Sequence, residues 1–546
     1  MKFFPLWIGW DAAIMPRAAK ITRGFAGAAG VIALLTVFSR FAGLLRKLAQ
    51  SWAVSDGTVA TAYDTANTVP NVLFEVAAGG ALAGAVIPLI SGFLARGEKE
   101  KMARTASALV TWVLTVGLPI SFLVMLCADS VTGMLFGKNA DPGVVRLASF
   151  LLRLFALQIP LYGLSVVFTG ILQAHRKFVL PALSPLLSSV TVIAVFCGYA
   201  GYVGHLQDAG TLPVKAALLL GLGTTLGVVL FSLPQLIPVL KICRLSPTWK
   251  FPPGVARRTV HLAGAGLAAL SAQQIVIVMI MYFANAFGGV GAYTTFSYAF
   301  SIFMVPYAVL AVPVATAVFP RISAAAEMGR NRELCLLVAK STKLVLLLGF
   351  AAAALLAVLA LPAKIVLELG RNIAFLDFAM WVSAPALVGY SLLYHGARVL
   401  YALHLGRKVV WVNTLAWGAA AAVLLLAPHF GVHGRFSALA GIGAALSIGM
   451  TVGVFFTYLT LCRIFGRRIF AGYTRMFGIL CVLLPFAVWG GRQCVETILL
   501  RMGPGIFGVC CAVIAGTAAV LIAVAAAVAL TDRKILNFAV KSDHIR

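Results

Sequence analysis

Residues 85–91 read AVIPLIS, and residues 317–323 read AVFPRIS, 232 positions further along. The dipeptide Arg-Lys recurs in the same way, at Arg176–Lys177 and Arg407–Lys408, an offset of 231. Short apolar strings match by chance in a chain of this composition, so neither pair alone means much. Two pairs at almost one offset point to an internal duplication, and the nature of the copies depends on the runs that separate them.

Those runs are apolar enough to require lipid. Of 546 residues, 61% are hydrophobic and only 11% charged, with a mean hydropathy of +1.00. A soluble chain carries about 25% charged residues, so this one has no water-compatible surface and a soluble enzyme is excluded. A membrane-spanning helix needs about 20 apolar residues. Fourteen runs qualify: 28–49, 63–94, 104–128, 143–174, 178–202, 214–240, 259–288, 291–320, 338–367, 375–403, 408–428, 436–461, 475–499 and 504–531. Both repeated strings then lie six spans apart, at equivalent span ends. An even number of spans preserves orientation, so the duplication predicts two parallel six-helix lobes around a central cleft. The expected organisation is an interfacial N-terminus (1–27), a first lobe (28–241), a second lobe (258–461), two further helices (475–531) and a cytoplasmic tail (532–546).

Charge tests the count independently. The 43 Lys and Arg against 16 Asp and Glu give a net charge of +27. With the N-terminus in the cytoplasm, 30 of these cations fall in inside segments and eight in outside loops. A missed or invented span would scramble that alternation, so both termini are expected inside. The cations sit in short loops with no aromatic-interleaved basic face, which excludes nucleic acid as a partner. Nine scattered cysteines form no CxxC pair and have no histidine at ligand spacing, so no metal or redox site is expected.

Charges inside a span are costly and default to function. The first span holds Ser39, Arg40, Gly43, Arg46 and Lys47. At 100° per residue Arg40, Gly43 and Lys47 share one line, with Ser39 and Arg46 beside it, and the glycine lets backbone or ligand come close. In the second span Asp64, Thr68, Asn71 and Glu75 form a straight polar line, interrupted by Pro70 and followed by Gly79–Gly80. Two readings stand side by side. Arg40 or Arg46 pairs with Asp64 or Glu75 and locks the helices; alternatively both stripes line a wet cleft whose net positive charge binds an anion, pyrophosphate being suited to arginine's planar fork. Gln273, Gln274 and Asn285 in the seventh span either line that cleft or pack between helices. Arg153, His395 and Arg398 lie near span ends, where snorkelling accounts for them equally well. No catalytic set or cofactor site is expected: a membrane glycosyltransferase needs a carboxylate-rich outer loop, and the outer loops offer only Asp56, Asp129, Asp141 and Asp208. A scaffold for cell-wall enzymes would tolerate neutralising both stripes.

The pattern Phe38-Ser39-Arg40, Gly43, Arg46 resembles the MurJ (MviN) family of lipid II flippases, within the multidrug/oligosaccharidyl-lipid/polysaccharide exporter superfamily. Pro70-Asn71, Gly80 and Pro88 are similar too, as are Gln274-Ile275, Tyr298-Ala299, Pro306 and Phe319-Pro320. The likeness implies a V-shaped transporter in the bacterial plasma membrane. It would move lipid II, the undecaprenyl-pyrophosphate-linked peptidoglycan precursor, to the outer leaflet by alternating access. Arg40 and Arg46 would then be cleft arginines, with Ser39, Gly43, Lys47, Asp64, Asn71, Glu75 and Gln274 as further substrate-facing residues, and cell-wall synthesis proteins as possible neighbours. The chain departs from the family in three places. Phe74 and Glu75 stand where well-studied members carry arginines, Gly79-Gly80 replaces Glu-Gly, and the arginine expected in the eighth span falls near Ser301. Another polyprenyl-pyrophosphate glycan, or a drug exported by the same superfamily, is the alternative cargo.

Overall fold

The structure is a computed structural model. It describes residue 35 and residues 38–531, apart from 78–85, 138–139, 205–207, 369–370, 467–469 and 471, and leaves aside the side chains of 257–269. The N-terminus 1–27, Gly79–Gly80 and the tail 532–546 lie outside the described residues.

Helices account for nearly everything described, and no strand occurs among the described residues. We number the passes in chain order. α1 is described over 38–54, α2 is Thr58–Ala77 and resumes as Ile87–Ala95, and α3 is Lys99–Leu126. There follow α4 (Pro142–Ala174), α5 (Val179–Val203), α6 (Val214–Leu240), α7 (Val255–Phe283), α8 (Ala292–Glu327) and α9 (Asn331–Val358). α10 is a bent pair, Leu376–Ser383 and Ala386–Ala402, turning by 47°. α11 (Gly406–Phe430), α12 (Arg435–Phe465), α13 (Tyr473–Met502) and α14 (Ile506–Thr531) complete the chain. Eleven helices are each long and apolar enough to cross a bilayer, and the bent pair makes a twelfth. The remaining two expected spans are α1 and α2, each of which runs partly outside the described residues.

The duplication is written in the backbone. α3 and α9 both contain 28 residues, and each is followed by a nine-residue helix, Ala128–Phe136 and Ala360–Glu368. The turns that precede them match at the offset of 232. Gly97 (φ 71°) and Gly329 (φ 64°) take the left-handed conformation, while Glu98 N–H donates to Phe93 O and Arg330 N–H to Ala325 O, both at 3.0 Å. The Arg-Lys match does not survive as a structural equivalence. The left-handed residues at the α4–α5 and α10–α11 turns are Arg176 (φ 58°) and His404 (φ 59°), an offset of 228. The connection before α10 (369–375) is two residues longer than that before α4 (137–141), but the first half of α10, Leu376–Ser383, is six shorter than Pro142–Phe155 of α4, so Arg407 lies about one turn beyond the position that answers Arg176.

α1–α6 and α7–α12 form the two lobes, and α13 and α14 pack against α9 through Leu344, Val358, Leu480 and Val520. The α6–α7 connection runs along α3. Ser246 N–H donates to Ser107 Oγ (3.1 Å), Thr248 N–H to Thr111 Oγ1 (3.0 Å) and the Trp249 indole to Thr115 Oγ1 (3.0 Å). The spacing 107, 111, 115 is one helix face, so a ladder of hydroxyls on α3 pins the strap that joins the lobes.

Candidate functional site

The lobes meet along the end of α1 and the start of α2. Thr61 Oγ1 accepts from Gly291 N–H (2.8 Å), Thr65 Oγ1 from the Asn285 amide (3.0 Å), and the Thr68 and Tyr293 hydroxyls pair at 2.9 Å. Tyr298 Oη donates to Ser55 O (2.8 Å), and Ser51 Oγ to Leu367 O. At the rim Asp56 pairs with Arg435 and accepts from Ala374 N–H at 3.1 Å. Gly291 makes this seal possible: its φ of 82° is left-handed, and a β-carbon there would run into Asp56 O and the Arg435 guanidinium. Asn285 reaches Thr65 because α7 ends in a π turn, Ala284–Gly288. Of the two roles open to Asn285, packing between helices is the one observed.

Next to this junction the same helices carry charge. Lys47 is 16% exposed, and its ammonium directs its three donors to Gln50 Oε1 (3.0 Å), Asp64 Oδ1 (3.4 Å) and Ser297 Oγ on α8 (2.9 Å). Gln50 also donates to Asp64 Oδ1 (2.9 Å). Asp64 is 5% exposed, and its Oδ2 has no partner among the described residues. The ion pair expected between an arginine and Asp64 is therefore made by Lys47, and this conformation leaves no Lys47 donor for cargo. Arg40 and Arg46 form no ion pair among the described residues. Arg40 is exposed and is the charge acting on Glu75, which is exposed as well. Arg46 lines a polar cavity of about 60 Å³ with Asn67, Asn71 and Tyr162. A site that size holds a few waters at most.

The remaining predicted residues are placed as follows. Asn71 is satisfied inside the first lobe, donating to Asn67 O (2.8 Å) and accepting from Tyr162 Oη (2.9 Å). Ser39 Oγ is buried with no partner among the described residues. A β-carbon at Gly43 would meet nothing within 4 Å, so the glycine faces open space. Gln274 is buried at 5% exposure, while its neighbour Gln273 hydrogen-bonds Tyr390.

The second lobe answers with residues the span reading set aside. Arg398 on α10 donates to Tyr394 Oη (2.8 Å) and lies over the Phe319 and Tyr394 rings at 5.6 and 5.1 Å. Tyr307 meets Tyr390 and Tyr394 edge-on, with ring centroids 4.9 and 5.8 Å apart. Phe41 on α1 and Pro306 on α8 line one pocket, so α1 approaches α8 at the residue that precedes Tyr307. A signal was available: Tyr390, Tyr394 and Arg398 follow i, i+4, i+8. Beside the cleft an apolar pocket of about 590 Å³ opens between α1, α8, α9 and α14, lined by Phe41, Leu45, Val305, Leu355 and Val513 among others. Among the described residues no cluster of His, Cys, Asp and Glu fits a metal.

The family described as lipid II flippase MurJ matches residues 52–528. The chain belongs to the MurJ family. A probable lipid II flippase MurJ from Synechocystis sp. is 29% identical over 400 residues, 71% of this chain and 73% of that one. The lipid II flippase MurJ of Burkholderia cenocepacia is 27% identical over 298 residues, covering 53% and 55%. Among solved structures, a lipid II flippase MurJ in an inward closed conformation superposes with a TM-score of 0.70 at 18% identity, over 90% of this chain and 97% of that one. An inward-facing MATE transporter of the MOP superfamily follows at 0.64, with 16% identity over 80% and 98%. The chain is thus a multi-pass membrane transporter of the MurJ type: a lipid II flippase with two lobes and two additional helices.

Proposed function

We propose that the cleft moves lipid II from the inner to the outer leaflet by alternating access, with Arg40 and Arg46 as the pyrophosphate-binding pair. The observation that carries this is the division of labour among three neighbouring cations. Lys47 is neutralised by Asp64, whereas Arg40 is exposed and Arg46 lines the small polar cavity of the first lobe, neither with a carboxylate contact among the described residues. An arginine left without a counter-charge in a low-dielectric site favours an oxyanion, and its planar fork fits phosphate. The apolar pocket between α1, α8, α9 and α14 supports a path in which the polyprenyl tail stays in lipid while the head group enters the cleft. The outer seal, built from α1 and α2 against α7, α8 and α12, supports a cleft closed to the outside and loaded from the cytoplasm. The charge asymmetry of the loops supports a plasma-membrane chain with both termini cytoplasmic.

The test is rescue of a bacterium depleted of its own lipid II flippase, at matched membrane levels. The parent is expected to restore growth, and Arg40→Ala and Arg46→Ala to abolish it. Growth restored equally by the variants sinks the site assignment. An inserted parent that fails to rescue moves another polyprenyl-pyrophosphate glycan ahead of lipid II.

A further inference from the structure

We propose that Tyr307, Tyr390, Tyr394 and Arg398 form a second-lobe subsite for the part of the head group beyond the pyrophosphate, with sugar rings on the tyrosine faces and an oxyanion on Arg398. This rests on the lipid II reading and adds a region of the chain that the arginines of α1 do not touch.

Three observations converge. The first is register: Tyr390, Tyr394 and Arg398 stand one above another on α10, and Tyr307 is turned toward them by the π turn Tyr307–Ala311 that follows Pro306. π turns re-aim side chains and recur at functional sites. The second is exposure. Tyr298, which docks the lobes, is sealed at 0% and Tyr199 at 1%, whereas Tyr307, Tyr390 and Tyr394 are all half-buried. A tyrosine with one open face offers a flat apolar platform and a hydroxyl beside it, the chemistry a pyranose ring needs. The third is charge. Arg398 has neutral partners only among the described residues: the Tyr394 hydroxyl and two rings. One N–H is occupied, and a guanidinium has five. Held by its ring contacts, it keeps its other donors without a partner among the described residues.

The two poles suit different parts of one molecule. Arg40 and Arg46 take the pyrophosphate; the tyrosines and Arg398 take the amino-sugar rings and a carboxylate of the attached peptide. Because the poles sit on opposite lobes, a complete head group bridges them, while a bare polyprenyl pyrophosphate reaches only the first.

The experiment compares two probes on the full-length protein in lipid nanodiscs: lipid II, and undecaprenyl pyrophosphate without the disaccharide-peptide. Tyr307→Leu, Tyr390→Leu and Arg398→Gln are expected to weaken lipid II binding about tenfold, the scale of one aromatic or charged contact, and to leave undecaprenyl pyrophosphate within about twofold. Tyr390→Phe, which keeps the ring and removes the hydroxyl, is expected to bind lipid II more weakly than the parent and more tightly than Tyr390→Leu. Thermal melting of each variant checks the fold, and Arg398→Gln, at a half-buried position, is the variant that keeps the test open if a leucine variant unfolds. Equal weakening toward both probes overturns the subsite, as does no weakening. A parent that binds undecaprenyl pyrophosphate as tightly as lipid II overturns it too. If the parent binds neither probe above a phosphatidylglycerol control, the lipid II reading falls and takes the subsite with it.

Discussion

α1–α2 and α7–α8 are the same helical hairpin placed twice, yet they hold opposite chemistry. The first copy carries Arg40, Arg46, Lys47, Asp64 and Glu75; the described polar side chains of the second, from Ser271 to Tyr307, are Gln, Asn, Ser, Thr and Tyr. The polar atoms of the second copy are largely engaged in docking the first: Asn285 on Thr65, Tyr293 on Thr68, Ser297 on Lys47 and Tyr298 on Ser55. Duplication conserved the backbone frame and released one copy to supply charge and the other to receive it. Cargo binding and lobe closure are thereby assigned to different residues of equivalent helices.

The comparison breaks first at Arg46. If charge in the first copy exists to hold cargo, Arg46→Ala eliminates rescue in the depletion strain while leaving the protein's melting temperature unchanged. A fall in melting temperature with transport retained would return Arg46 to a structural role. The next effect in size is at Lys47, where Lys47→Met leaves the Asp64 carboxylate buried and uncompensated, a change costing about 3–5 kcal/mol. Thermal unfolding should show a large loss, mostly restored by adding Asp64→Asn; no recovery in the double variant would mean that Lys47 acts on something other than Asp64. A smaller effect is expected from Gly291→Ala. The left-handed backbone and the crowding against Asp56 and Arg435 should loosen the outer seal. A cysteine placed at Thr61 should then react faster with a membrane-impermeant maleimide from outside, with unaltered labelling counting against the seal.

The smallest effect is outside the membrane, where the comparison predicts nothing. The Lys101 ammonium, 3.0 Å away, with Arg96 behind it, holds the exposed Glu98 carboxyl below the usual glutamate range. A depressed carboxyl contributes stability above its unfolded value and loses it as pH falls through the folded one. On an exposed turn this is too screened to matter, so Glu98→Gln should melt with the parent at neutral pH and in mild acid.

How far the chain could be read follows from range. Apolar runs and loop charges are local signals, and they locate the helices; the offset of 232 persists through α3 and α9, which keep equal lengths, and the Arg-Lys offset slips because the first half of α10 is shorter than that of α4. The stripe of Arg40 and Arg46 was legible because a charge within a span is anomalous wherever its partner lies. The engagement of Lys47 was not legible because one of its partners, Ser297, is 250 residues away. The tyrosine stripe was overlooked for a different reason: Tyr counts as apolar in span finding, so its register with Arg398 was absorbed into the helix it sits on.

The strap on α3 has a consequence in length. With the connection pinned as far as Trp249, only residues 250–254 remain before α7 begins at Val255. The six Cα steps from Trp249 to Val255 extend to about 21 Å at most, and Pro252 and Pro253 stiffen two of the residues between. The second lobe is therefore leashed: however the cleft rocks, the start of α7 stays within that radius of Trp249, and the amplitude of the transport stroke is bounded by a short stretch of backbone far from the cargo.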